Sequence, residues 1–191
     1  MTTLDDKGAR RRKLLGGLAL APLGIGLARP AFAGNAIGDT ADRFLTFHNL
    51  HTEERLHITY FADGAYVTAS LARVDWLLRD FRSGDVHAID PHLLDTLYAL
   101  TVACGCETFE IISGYRSPST NAMLRKASNG VAKHSLHMEG RAIDVRVAGL
   151  GTARLRDAAI ALRRGGVGYY ARSDFVHLDT GRFRTWGTQS A

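Results

Sequence analysis

The sequence predicts an α+β domain, with helices packed on a mostly antiparallel sheet. Three observations carry that expectation. Strand-like and helix-like segments follow one another without the strict alternation of a parallel, doubly wound sheet. Two β-rich runs, 43–50 and 55–61, are joined only by His51-Thr-Glu-Glu54, the spacing of a hairpin. Residues 34–191, free of internal repeats, suit a single domain, and one of that size buries about 70% of its extended-chain surface.

Taken in order, residues 34–42 are small and polar and read as a mobile start. After the hairpin, Asp63-Gly64 marks a turn. Leu71, Val74, Leu77, Leu78 and Phe81 recur on one helical face, which predicts a helix from an N-cap at Ser70 to about Phe81. Trp76 lies off that stripe and is expected to cover an edge of the core. Ser83-Gly84-Asp85 breaks the chain. Asp90 then caps a second helix whose first residue is Pro91, where a missing N–H loses nothing. Leu93, Leu94, Leu97, Leu100 and Val102 give it a broad apolar face, and Gly105 ends it. Thr108–Ser113 reads as a buried strand. Gly114–Ser117 is a turn that hands over to a helix capped by Ser117, begun by Pro118 and ending near Lys126. A loop around Asn129-Gly130, a strand Ala142–Val147 and a helix from Thr152 to about Arg164 follow. That helix is basic at its C-terminus, as the helix dipole favours. Residues 165–170 and 175–180 read as two final strands.

The first 33 residues read as an export signal rather than as part of the fold. Arg10-Arg11-Arg12-Lys13 precedes an apolar run from Leu14 to Ala28, and Ala31-Phe32-Ala33 offers a small-x-small cleavage site. The run contains Pro22 and four glycines, whereas a spanning helix needs about 20 unbroken apolar residues, so no stable membrane span is expected. Paired arginines before a mildly apolar stretch point to a twin-arginine signal and a periplasmic destination. The leader also explains the net charge of +5: it holds six of the 24 basic and two of the 19 acidic residues, leaving +1 for residues 34–191. A basic stripe able to track phosphates is therefore lacking, and nucleic-acid binding is excluded. Cys104 and Cys106, one glycine apart, would close a small strained ring, so they read as two small buried free thiols.

Two segments hold candidate metal ligands. Ser135-Leu-His137-Met-Glu-Gly140-Arg-Ala142-Ile-Asp144 sets a histidine and an aspartate seven positions apart, and Asp174-Phe-Val-His177-Leu-Asp179 adds a second histidine. Two imidazoles and a carboxylate make the ligand set of a catalytic zinc site, with a fourth position left open. Strand periodicity lets His177 and Asp179 share one face while Val176 and Leu178 turn to the core, and Asp144 alternates likewise with Ile143 and Val145. His137, Asp144 and His177 are accordingly expected to hold one zinc ion per chain. His48, His51, His57, His87 and His92 lack such a pattern, and His134 reads as structural or supporting. The run Gly165-Gly-Val-Gly168 lacks the strand–helix unit of a dinucleotide fingerprint.

The pattern Ser-x-His-x-x-Gly-x-Ala-x-Asp followed by Asp-x-x-His resembles the zinc D-Ala-D-Ala peptidases of bacterial cell walls. Ser113-Gly-Tyr-Arg-Ser-Pro118, Thr120-Asn121, Gly130-Val-Ala132, the run 165–170, Ser173 to Asp179 and Arg184-x-Trp186 are similar to the murein endopeptidase K-like branch. The resemblance implies that Asp174 is a general base that takes the proton of zinc-activated water. It implies that Arg116 polarises the scissile carbonyl or pairs with a substrate carboxylate, and that Ser135 helps to hold substrate. Tyr115 and Tyr170 would line the cleft. From the residues alone, Asp174 reads equally well as a turn-capping aspartate after Ser173, and Arg116 as a solvated surface residue. One departure is Glu53-Glu54, where hairpins of the family often carry a glycine. The implied protein is a monomeric, exported zinc metallopeptidase that cuts cross-link peptides of peptidoglycan. A D,D-carboxypeptidase using the same site, or an idle zinc- or peptidoglycan-binding module on the same fold, are the alternatives. The presence of every ligand and of the base speaks against the idle module.

Overall fold

A computed structural model describes residues 41–127 and 131–187. The leader, the expected mobile start up to residue 40 and the Asn129-Gly130 turn lie outside the described residues. The chain runs through β1 (Arg43–Asn49), β2 (Arg55–Ala62), β3 (Ala65–Tyr66), α1 (Thr68–Leu77), α2 (Pro91–Cys104), β4 (Thr108–Ser113) and α3 (Pro118–Ala127). A short 3-10 turn, Leu136–Glu139, leads into β5 (Ala142–Val147), α4 (Thr152–Leu162) and β6 (Gly166–Tyr170). A second turn, Ala171–Ser173, precedes β7 (Phe175–Asp179) and β8 (Arg184–Trp186). The strands form one sheet in the order β3-β2-β1-β4-β5-β7-β6-β8. Pairing is antiparallel except for β1 with β4 and β6 with β8, so the expected α+β class with a mostly antiparallel sheet holds.

The hairpin β1–β2 forms where predicted, with Phe47 opposite Leu56 and Leu45 opposite Ile58. Glu53 in its loop takes a left-handed backbone, φ 59°, and a 2.9 Å hydrogen bond between its carboxylate and His48 Nε2 holds the turn. Strands β3 and β8 are two and three residues long, too short to leave a periodic trace in the sequence.

On one face of the sheet, Ile143 and Val145 of β5 and Val176 and Leu178 of β7 join Leu45, Phe47, Phe109 and Ile111 in a single buried cluster. Helices α2 and α4 pack side by side over this face, contributing Leu93, Leu94, Leu97, Leu100 and Leu155, all fully buried. Each such side chain stabilises the fold by about 1.5–3 kcal/mol through burial. Asp90 caps α2 as expected, accepting from His92 N, and Gly105 ends it with a left-handed φ of 63°.

Helix α1 differs from the expectation. It starts at Thr68, with Val67 at the cap position, and stops at Leu77 instead of Phe81. The stop is imposed from outside the helix. The Leu78 carbonyl accepts from Tyr115 N at 2.8 Å, and Asn49 Nδ2 donates to the Leu77 carbonyl at 3.0 Å. Phe81 leaves the core and stacks on His51 at 3.7 Å. Trp76 is 56% exposed beneath the Arg79 guanidinium and does not cover the core. Cys104 and Cys106 are free thiols, as expected, but half-buried rather than buried.

Candidate metal centre and substrate cleft

The opposite face of β5 and β7 carries the polar residues. Asp144 and His177 are directly paired across these strands, so strand alternation places both side chains on the side away from the core. His137 arrives from the 3-10 turn, which Ser135 caps by accepting from His137 N at 3.4 Å. Gly140 closes that turn with φ 65°; a Cβ there would lie 2.0 Å from the Ala88 carbonyl oxygen, so only glycine lets the 87–90 segment dock beside the site.

These three residues converge. His137 Nε2 lies 3.3 Å from Asp144 Oδ1 and 3.2 Å from His177 Nδ1, and His177 Nδ1 lies 2.8 Å from Asp144 Oδ1. Donors bound at about 2.0–2.1 Å in a tetrahedron lie roughly 3.3 Å apart, so the triangle fits a zinc ion with one position left over. The far ring nitrogens are also tied: His137 Nδ1 to the Gly114 carbonyl at 2.7 Å, and His177 Nε2 to Asp179 Oδ2 at 3.1 Å. A ring nitrogen that donates outward leaves the other one free to face a metal.

Electrostatics shows how the protein alone balances this cluster. Burial works against ionisation of Asp144, but the facing His137 and His177 hold its carboxyl well below the usual range. Burial lowers the pKa of His137. It acts the same way on His177, where hydrogen bonds to Asp144 and Asp179 outweigh it and push the imidazole up to about 9. A proton on His177 thus occupies the centre of charge that a cation would take.

Asp179, which strand periodicity puts on the His177 face, buttresses the candidate site. Its side chain is 0% exposed and accepts from His177, from Gly166 N at 3.0 Å, from Gly181 N at 2.8 Å and from both terminal nitrogens of Arg184. Alternation showed the shared face, but not that the Asp179 carboxylate would tie the His177 ring to Gly166, Gly181 and Arg184.

Arg116 lies in the turn after β4. It is 12% exposed, its Nη2 sits 3.5 Å from Asp144 Oδ2, and its backbone N–H donates to the His137 carbonyl at 3.1 Å. The turn that carries it is anchored by Asp80, whose carboxylate accepts from Ser117 N at 2.8 Å and Ser117 Oγ at 2.7 Å. The buried Arg116 Nε finds no partner among the described residues. Tyr115 stacks on His87 at 4.8 Å beside it. Ser135 is buried in its capping role. His134 is exposed, outside the cluster.

Asp174 is not drawn into the triangle. It ends the second 3-10 turn with φ 52°, is 60% exposed, and accepts from Thr152 Oγ1 at 3.0 Å; Arg146 Nη1 lies 3.4 Å away. Arg146 is two residues along β5 from Asp144, on the same face, and is pinned by Glu110 at 2.7 Å. Glu110, Arg146, Leu150 and Asp174 line an open groove of about 450 Å³.

Beyond β7, Gly168 of β6 pairs with His177 on one side and Trp186 of β8 on the other. A Cβ at Gly168 would lie 2.4 Å from the indole, so its absence lets Trp186 approach within 5.1 Å of the His177 ring. Trp186 Nε1 donates to Tyr170 Oη at 3.0 Å, and Tyr170 stacks on Phe175 at 4.5 Å.

Comparison with known proteins shows the family. A family model described as "Peptidoglycan L,D-endopeptidase MepK" matches residues 38–186. Peptidoglycan L,D-endopeptidase MepK of Escherichia coli (strain K12) is 44% identical over 186 residues, covering 96% of this chain and 100% of that protein. The protein of that name from Shigella flexneri shows the same identity and coverage. The Haemophilus influenzae protein named "Probable peptidoglycan L,D-endopeptidase MepK" is 42% identical over 183 residues, covering 95% of this chain and 96% of that one. The chain is therefore a peptidase of the D-Ala-D-Ala type. Within that class it belongs to the MepK family.

Proposed function

We propose that the protein is an exported zinc metallopeptidase that hydrolyses cross-link peptides of peptidoglycan, at bonds joining residues of opposite hand. The observation that carries the metal assignment is the convergence of His137 Nε2, Asp144 Oδ1 and His177 Nδ1, with the far nitrogen of each ring already tied. The relatives' names support the substrate and favour endopeptidase over carboxypeptidase. Export rests on the leader; among the described residues no helix is long and apolar enough to cross a membrane.

His137, Asp144 and His177 would hold the ion. When bound, zinc supplies Lewis-acid chemistry and brings the pKa of water down to about 7. Arg116, whose Nη2 lies 3.5 Å from Asp144 Oδ2, is set to donate to the scissile carbonyl oxygen as charge develops on it. Asp174 serves as the base. Its exposure and its strained left-handed backbone suit a carboxylate that leaves Thr152 and Arg146 to take the proton of the attacking water and pass it to the departing amine. The ordered β5–β7 pair keeps the ligands rigid while the groove beside Arg146 stays open for an extended peptide.

The test is digestion of purified muropeptide dimers with and without chelator, followed by mass analysis. Cleavage that needs zinc supports the reading, and dimers left intact by the zinc-loaded protein overturn it. Asp174→Asn and Arg116→Ala should keep zinc and fold. The first should lose on the order of 100- to 10,000-fold in turnover. The second should lose about 3–4 kcal/mol of transition-state stabilisation. An Asp174→Asn protein that cuts at the parent rate would place the base elsewhere.

A further inference from the structure

The sheet presents the site in a fixed order. Along β4, β5, β7, β6 and β8, the face opposite the core offers Arg116 at the end of β4, then Asp144, His177, Tyr170 and Trp186. The last two have no place in the mechanism above. Both are half-buried, and neither adds to the hydrophobic core cluster.

We propose that Tyr170 is a further catalytic residue, a phenol that donates a hydrogen bond to the scissile carbonyl oxygen as that oxygen becomes anionic. The inference rests on the metallopeptidase reading. Its first support is the direction of one hydrogen bond. Indole nitrogen is a donor only, so the 3.0 Å contact from Trp186 Nε1 occupies a lone pair of Tyr170 Oη and leaves the phenolic hydrogen for another acceptor. No acceptor for it is present among the described residues, whose contacts give Tyr170 Oη only this one partner.

A second support is rigidity. The ring lies on Phe175 with centroids 4.5 Å apart and planes 18° from parallel, while its hydroxyl is held by Trp186. Trp186 is itself seated against the missing side chain of Gly168 and under the Arg184 guanidinium. A donor fixed in this way need not reorganise when charge appears, and that is the property which makes such donors effective. A third is the balance of donors and acceptors. Arg116, 3.5 Å from Asp144, brings a guanidinium whose buried Nε has no partner among the described residues. Two donors left without acceptors around a candidate metal call for an anionic oxygen from the substrate.

The experiment compares parent, Tyr170→Phe, Trp186→Phe and the double variant, each reconstituted with zinc. It measures metal content, melting temperature, kcat and KM on purified muropeptide dimers, and the affinity of a phosphinate peptide isostere that mimics the tetrahedral carbon. Tyr170→Phe keeps the stacked ring, so zinc content and melting temperature should match the parent. Its kcat should fall about 100-fold with KM little changed, and the phosphinate should bind weaker by a similar factor. Trp186→Phe, acting through the phenol, should lose less and should add nothing in the Tyr170→Phe background. Parental kcat in Tyr170→Phe, a loss confined to KM, or a loss of zinc along with activity would each overturn the role of the phenol. A zinc-loaded parent that leaves dimers intact would instead overturn the peptidase reading, and this inference with it.

Discussion

Removing the Asp179 carboxylate should loosen the candidate metal centre without touching any of its three donors. In Asp179→Ala, five hydrogen bonds lose their acceptor: those from His177, Gly166, Gly181 and the two from Arg184. Breaking a buried charged pair from one side costs about 3–5 kcal/mol. Arg184 is 36% exposed and regains water, which places the loss near the lower end, about 3 kcal/mol. For a domain of this size that corresponds to a fall of roughly 10 °C in melting temperature. Asp179→Asn keeps the shape and some of the bonds, so its loss of stability should be smaller. Both variants free the His177 ring to rotate and to change tautomer, which should weaken zinc affinity about 10- to 100-fold. Thermal melts of metal-stripped protein at pH 7 measure the first effect, and competition with a chromophoric chelator measures the second. An Asp179→Ala protein with parental melting temperature and parental zinc affinity would refute the reasoning.

Other outcomes follow from the same geometry. His177 titrates near 9 in the metal-free fold against about 6.5 when unfolded, so its contribution is complete below pH 6.5 and lost as pH rises towards 9. Urea denaturation of metal-free protein should therefore show stability falling by roughly 2–4 kcal/mol across that window; flat or rising stability would contradict it. Gly168→Ala would put a Cβ 2.4 Å from the Trp186 indole, displacing it at a cost of about 1–3 kcal/mol. An unchanged tryptophan emission spectrum would show that the indole was never so tightly seated. If Arg11 and Arg12 form a twin-arginine signal, changing both to lysine should leave folded protein in the cytosol, and normal export of the variant would remove that reading.

The sequence showed most where the signal was local. Capping by Asp90, the Pro91 start and the Gly105 stop of α2 are written in adjacent residues, and all three occur as expected. Alternation along β5 and β7 told which side of each strand faced the core, and hence that Asp144 and His177 could meet. What escaped was fixed by distant partners. Helix α1 ends early because Tyr115 and Asn49 take its last carbonyls, and nothing near Leu78 announces this. The parallel pairings of β1 with β4 and of β6 with β8 depend on chain crossovers that periodicity does not encode. The resting contacts of Asp174 were equally hidden: its left-handed turn directs the carboxylate to Thr152 and Arg146, 22 and 28 residues away in the chain.

The separations along the chain between His137, Asp144 and His177 also set when in folding their meeting point comes into being. His137 and Asp144 are near neighbours in sequence, whereas His177 stands 33 residues beyond Asp144. Closing the longer loop adds only about 1.4 kcal/mol of chain entropy over the shorter one. Yet His177 lies on a strand with neighbours on both sides, between β5 and β6. It cannot fray away alone, as a residue on an outer strand can. Freeing it means parting the middle of the sheet, an opening close in free energy to unfolding the whole domain. Amide hydrogens of β5 and β7 should accordingly exchange among the slowest in the protein, and an ion held there should escape on the same slow clock.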